Sequence, residues 1–300
     1  MICRRESLPQ RLARRSLSIC CTEIETSNTA REETISLQLE TKSLTLGYGH
    51  KTVIDALDLQ IHEGKISVLI GSNGCGKSTL LRSLARLIKP EDGTVLLDGK
   101  QLAQWSTKEL AKQLAILPQG PIAPEGLTVR QLVEQGRYPH QGLLTPKSAQ
   151  DEWMINQALE ATQLTLHAQR AVDSLSGGQR QRAWIAMALA QDTPILLLDE
   201  PTTYLDMTHQ IEILDLLFEL NRQAGRTIVM VLHDLNLACR YADHIIALRD
   251  QRIYAQGKPE EVISAAVVKA VFDLDCEVIR DPLFGTPLVI PYGKRKSYAE

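Results

Sequence analysis

The segment Gly71-Ser72-Asn73-Gly74-Cys75-Gly76-Lys77-Ser78 constrains this 300-residue chain more than any other feature. It follows a short apolar run, KISVLI, and runs directly into KSTLLRSLARLI, where Leu80, Leu81, Leu84 and Leu87 recur at helical spacing. A buried strand, a tight turn and an amphipathic helix over 77–88 are therefore expected in that order. Glycines let consecutive backbone N–H groups turn inward without Cβ clashes, and the helix aims its positive dipole end at the same point. Such a turn suits the phosphates of a nucleotide. Lys77 reaches the β and γ phosphates, Ser78 coordinates Mg2+, and the backbone from Gly71 to Thr79 wraps the phosphate chain.

Phosphate chemistry also needs a second metal ligand and a group that activates water, both on a neighbouring strand. Asp199 and Glu200 end the apolar run ILLL, so Asp199 is expected to hold Mg2+ and Glu200 to polarise the attacking water. PILLLD and TIVMVL read as buried parallel strands, with crossover helices at 207–224 and 234–242. Ahead of them, SLQLETKSLTLGY and TVIDALDLQI alternate as in an antiparallel edge sheet. Between about 127 and 172 the strand signals give way to amphipathic helix. The expected fold is α/β: a phosphate-loop NTPase with a RecA-like, mostly parallel sheet, an antiparallel β subdomain and an inserted helical subdomain.

Bulk properties remove other classes. A net charge of -3 provides no global basic field for nucleic acid or acidic lipid. Six cysteines show neither metal-ligand spacing nor the density of a disulfide scaffold, which fits a reducing cytoplasm. No apolar run approaches the roughly 20 residues needed to span a bilayer. Residues 1–35 are Arg-rich and then Thr/Glu/Ser-rich, without the apolar block of a secretory signal. They are expected to be a disordered extension or the product of an early start codon, in preference to a transit peptide or membrane-surface arm. Residues 36–291 then form the domain and 292–300 a tail.

Leu175-Ser176-Gly177-Gly178-Gln179, ahead of a helix and just before the carboxylate strand, narrows the reading. It resembles the signature of the ABC ATPases, a second anion nest made of a serine hydroxyl, glycine N–H groups and a helix N-terminus. The resemblance runs from about Leu39 to Pro291. It implies that Ser176, Gly177, Gly178 and Gln179 serve ATP held by a partner subunit, so that the chain works as a homodimer. It also implies that Tyr48 stacks on adenine, Gln119 approaches Mg2+, Asp206 crosses the dimer interface and His233 contacts the γ-phosphate. The remaining histidines, His50, His140 and His244 among them, are expected at surface or packing positions.

Within the family, Gly136-Arg137-Tyr138-Pro139-His140, TTYLD followed by HQIEILDLL, HDLNLACRYAD and GTPLVIP look like the ATPases of bacterial ferric-siderophore importers, with haem and vitamin B12 importers close by. That likeness implies two transmembrane permease subunits, a periplasmic or surface solute-binding protein, and a peripheral place on the cytoplasmic face of the cell membrane. Membrane contact would run through the permease only. Arg137 and Tyr138 would then lie on the surface that receives the permease's coupling element. The alternative is an ABC ATPase of DNA repair or chromosome organisation. Such proteins carry long inserts between the phosphate loop and the signature, whereas Lys77 and Ser176 are 99 positions apart (176 minus 77), so no nucleic-acid partner is expected.

Overall fold

The computed structural model describes residues 38–49, 51–142 and 146–292. The N-terminal extension, His50 and the tail beyond Tyr292 lie outside the described residues. β1 (Leu39–Tyr48) and β2 (Lys51–Ile61) pair as an antiparallel ribbon. β3 (Ile66–Gly71) leads through the glycine turn into α1 (Lys77–Leu84). β4 (Asp92–Leu97) returns to β1, followed by β5 (Lys100–Gln101), α2 (Thr107–Gln113) and β6 (Leu114–Leu117). Next come α3 (Val129–Gln135), α4 (Ala149–Ala161) and α5 (Gly177–Ala190). The chain then alternates through β7 (Ile195–Leu198), α6 (Met207–Ala224), β8 (Thr227–Val231), α7 (Leu235–Tyr241), β9 (His244–Arg249) and β10 (Arg252–Gly257). It finishes with α8 (Pro259–Val262), α9 (Ala265–Phe272) and the hairpin β11 (Cys276–Arg280) and β12 (Pro287–Pro291).

The central sheet has the order β10-β9-β3-β8-β7-β6, parallel except for the β9–β10 pair. β3, β7 and β8 are buried along their whole length, which is why they read as continuous apolar runs without alternation. Their side chains still part by pleat. Leu196 and Leu198 face the helical core, while Ile195 and Leu197 join the core shared with β1, β2 and α1. A second sheet, β2-β1-β4-β5, covers that other side.

α1 is shorter than its pattern suggests. It stops at Leu84, Arg86 turns the chain with φ 58°, and Leu87 is exposed instead of joining the leucine face. The stop is tertiary: the Arg86 guanidinium donates to Leu102 O (3.0 Å), Trp105 O (2.6 Å) and Thr107 Oγ1 (3.0 Å). Between β6 and α5 the described residues are helical or irregular. That segment closes on itself at its base, where Val129 N donates to Arg170 O and Val172 N to Leu127 O. The carboxyl ends of β3, β6, β7 and β8 lie along one edge, with the glycine turn, Gln119, Asp199 and His233 just beyond them.

Candidate functional site

Two glycines, one ending β3 and one closing the turn after it, have no substitute. Gly71 has φ 151°, and a Cβ there would lie 2.5 Å from Leu248 O and 2.6 Å from Cys75 Sγ. Gly76, the N-cap of α1, has φ 104°, and its Cβ would lie 2.8 Å from Ile54 Cδ1. α1 carries no side-chain cap and no acid in its first turn, whereas α2 to α7 all receive one. Its first N–H groups and its dipole are thus left to an outside anion. Lys77 is buried, with Nζ donating to Gly71 O at 2.8 Å and Ser72 O at 3.0 Å and lying 3.8 Å from Cys75 Sγ.

The carboxylates beyond β7 meet this turn. Ser78 Oγ donates to Asp199 Oδ1 at 2.8 Å, and Arg82, one helical turn on, faces Asp199 Oδ2 at 3.7 Å. Burial pushes the Asp199 carboxyl above its ordinary value, against the Ser78 hydrogen bond and the Arg82 charge, which lower it. Asp199 Oδ2 is buried and accepts no hydrogen bond. An anionic oxygen without a donor, beside a hydroxyl and at a phosphate turn, fits a divalent cation held by Ser78, Asp199 and Gln119.

Glu200 collects donors instead. His233 Nε2 meets Oε1 at 2.7 Å, while Gln119 Nε2 (2.7 Å) and Thr203 Oγ1 (2.9 Å) donate to Oε2. Burial alone would raise this carboxyl, but the His233 and Thr203 hydrogen bonds, with the His233 charge and Gln119, hold it below the ordinary range. Glu200 is therefore an ionised acceptor fixed by three partners, with φ 54° turning it off the strand end.

A cleft of about 570 Å³ runs from these groups to an outer rim. Ser72, Asn73, Gly74, Cys75, Gly76, Lys77, Ser78, Thr79, Glu200 and His233 line one part, together with Tyr48, whose ring is half exposed. Lys51, Thr52, Val53, Asp250 and Gln251 complete the rim and escaped the sequence reading. Thr203 and Arg82 escaped it too, although their positions three after Glu200 and four after Ser78 were a usable signal.

Ser176, Gly177, Gly178, Gln179 and Asp206 do not line this cleft. Ser176 caps α5 through a capping box with Gln179, and Asp206 caps α6. The two segments meet through His209, whose Nδ1 lies 2.7 Å from Asp206 Oδ1 and whose ring blocks any Cβ at Gly178, at 2.6 Å. Arg137 departs from expectation. It is not a surface residue: it is 4% exposed, pairs with Asp151 at 2.9 Å and donates to Ala190 O at 2.7 Å. Only its neighbour Tyr138 is exposed.

Residues 54–203 match the family model described as ABC transporter. The chain is 68% identical over 256 residues to the “Probable siderophore transport system ATP-binding protein YusV” of Bacillus subtilis (strain 168), covering 85% of this chain and 93% of that one. It is 52% identical over 257 residues to the ferric enterobactin transport ATP-binding protein FepC of Escherichia coli (strain K12), covering 86% and 95%. Among solved structures it resembles the dimeric ATP-binding cassette MJ0796 bound to ADP and Pi, with a TM-score of 0.64 and 31% identity over 73% of this chain and 98% of that one.

Proposed function

The chain belongs to the ABC transporter family as an ATP-binding, ATP-hydrolysing subunit, and from that premise we propose that two copies of it drive import of a ferric siderophore. The observation that carries the catalytic part is the junction of the phosphate turn with Asp199 and Glu200, where a buried carboxylate with one oxygen bound to Ser78 and the other without a donor stands beside one whose two oxygens are both partnered. ATP lies with its phosphates on Gly71–Thr79 and its base against Tyr48. Ser78, Asp199 and Gln119 would hold Mg2+, which when bound would supply positive charge to the β and γ phosphates. Lys77 leaves the Gly71 and Ser72 carbonyls for the β and γ phosphates, Glu200 takes the proton of the water that attacks the γ-phosphorus as ADP departs, and His233 contacts the γ-phosphate.

Ser176, Gly177, Gly178, Gln179 and Asp206 lie outside the chain's own cleft and serve the nucleotide of the second copy. Residues 36–291 form this one ATPase domain, with the helical subdomain inserted at about 127–172. No helix among the described residues is long and apolar enough to cross a membrane. By likeness to the import ATP-binding proteins, two separate permease subunits carry the pathway, the ATPase sits beneath them on the cytoplasmic face, and a solute-binding protein delivers the chelate. The siderophore assignment rests on the high-identity relatives; haem and corrinoid are the competing cargoes.

The test is to purify the tagged chain from membranes with its permease and to measure ATP hydrolysis with solute-binding protein loaded by ferric siderophore, haem or corrinoid. Stimulation by the siderophore-loaded protein alone is expected. Stimulation by another cargo overturns the assignment, and tight, salt-sensitive DNA binding with no permease recovered overturns import itself.

A further inference from the structure

The end of α5 opposite the signature is a three-way junction. Gln191 follows the last turn, and its half-buried Nε2 donates to Ala111 O at 2.6 Å and to Leu114 O at 3.1 Å. These carbonyls sit where α2 becomes β6, and Gln119 lies just past the end of that strand. From the opposite side, Arg137 donates to Ala190 O at 2.7 Å and His140 Nε2 donates to Gln191 O at 2.8 Å. The backbones touch as well, since a Cβ at Gly136 would lie 2.2 Å from Met187 O.

A groove opens above this junction, lined by Lys108, Ala111, Tyr138, Pro139 and Gln141. Its two walls, α2 and the 138–142 turn, are joined at the exposed rim by Lys108 Nζ, which donates to Gln141 O at 2.7 Å, and at the buried base by Gln191 and its neighbours. Any turn of the helical insertion that displaces 137–140 acts on the backbone at 190–191. Through the Gln191 amide it then acts on the start of β6, and so on the side chain that bonds Glu200.

We propose that Gln191 is a positioning residue that makes the helical insertion and the Gln119 strand respond together to the nucleotide. The proposal rests on the reading of Gln119 and Glu200 as nucleotide-sensing groups. It differs from that reading in its residue and its readout, because Gln191 does not line the cleft.

The experiment is hydrogen exchange of the full chain in a Glu200→Gln background, comparing Mg-ATP with Mg-ADP, with and without Gln191→Met. Met keeps the length of the side chain and removes both donors. The parent is expected to show an ATP-minus-ADP difference in 114–121 and in 129–142. In Gln191→Met the difference in 129–142 falls at least about fivefold, the scale of losing two hydrogen bonds. Protection of the phosphate turn 71–79 by ATP is unchanged, and Gln191→Lys, which keeps a donor at similar reach, restores the parent pattern. A merely structural role would loosen both segments equally in the two nucleotides and leave the difference intact. A parental-size difference surviving in Gln191→Met, or none at 129–142 in the parent, overturns the proposal while the nucleotide reading stands. Absence of ATP protection at 71–79 in the parent overturns that reading and this inference with it.

Discussion

Replacing Glu200 by Gln should stop turnover while leaving ATP bound. The native carboxylate accepts from Gln119 and Thr203 on Oε2 and from His233 on Oε1. A Gln can keep its carbonyl toward the first two donors and turn its amide toward His233 Nε2, which becomes an acceptor once the ring proton sits on Nδ1. The substitution thus orphans no buried group. What it removes is the proton acceptor, and general-base catalysis contributes about 10²–10⁴ in rate. That loss is about 3–5 kcal/mol of barrier at roughly 1.4 kcal/mol per decade. Phosphate release at saturating Mg-ATP should fall at least about a hundredfold, with the affinity for a fluorescent ATP analogue held within about threefold, because the base acts only in the transition state. Turnover within about tenfold of wild type would remove Glu200 from the role of base.

Three further outcomes are expected. Arg137→Ala leaves the Asp151 carboxylate buried without its partner, so thermal melting should show a loss of about 3–5 kcal/mol, whereas Tyr138→Ala should leave the melting midpoint in place; an Arg137→Ala protein of wild-type stability would refute the buried pair. Asp199 is raised by burial, so the folded state holds its proton more tightly than the unfolded chain and stability falls as pH rises from the ordinary carboxylate value through the raised one. Asp199→Asn should therefore melt higher than wild type at neutral pH, lose that advantage below about pH 4 and lose Mg2+-dependent ATP binding; an equal melting difference at both pH values would contradict this. A maleimide should inactivate the ATPase through Cys75, Mg-ATP should slow the reaction, and Cys75→Ser should be active and resistant; equal sensitivity of Cys75→Ser would place the reactive thiol elsewhere.

How far the sequence reaches depends on whether a feature is set locally. The phosphate turn is legible because its chemistry is contiguous: Gly71 and Gly76 occupy backbone conformations and close approaches that exclude a Cβ, and the motif records both. β7 and β8 are legible because burial on two faces leaves no polar position. The end of α1 is not, because Arg86 is drawn out of the helix by carbonyls sixteen and nineteen residues away. Arg137 was misread for a related reason. An arginine reads as solvated until a second helix supplies Asp151 and a third supplies the Ala190 carbonyl. The rim residues Asp250 and Gln251 belong to the β9–β10 turn and join the cleft only because β9 lies beside β3 in the sheet. The donor-less oxygen of Asp199 is likewise a property of packing.

The central claim is that one chain's cleft is completed by the signature of another, and the mass of the ATP-bound species tests it most directly. Sedimentation velocity of Glu200→Gln should show one subunit in Mg-ADP and two in Mg-ATP. Adding Ser176→Arg should return the Mg-ATP sample to one subunit with ATP still bound, because Ser176 does not line its own chain's cleft and is proposed to serve the second copy's nucleotide. A Glu200→Gln protein that binds ATP and stays a single subunit, or a Ser176→Arg double variant that pairs as well as its parent, would contradict the account.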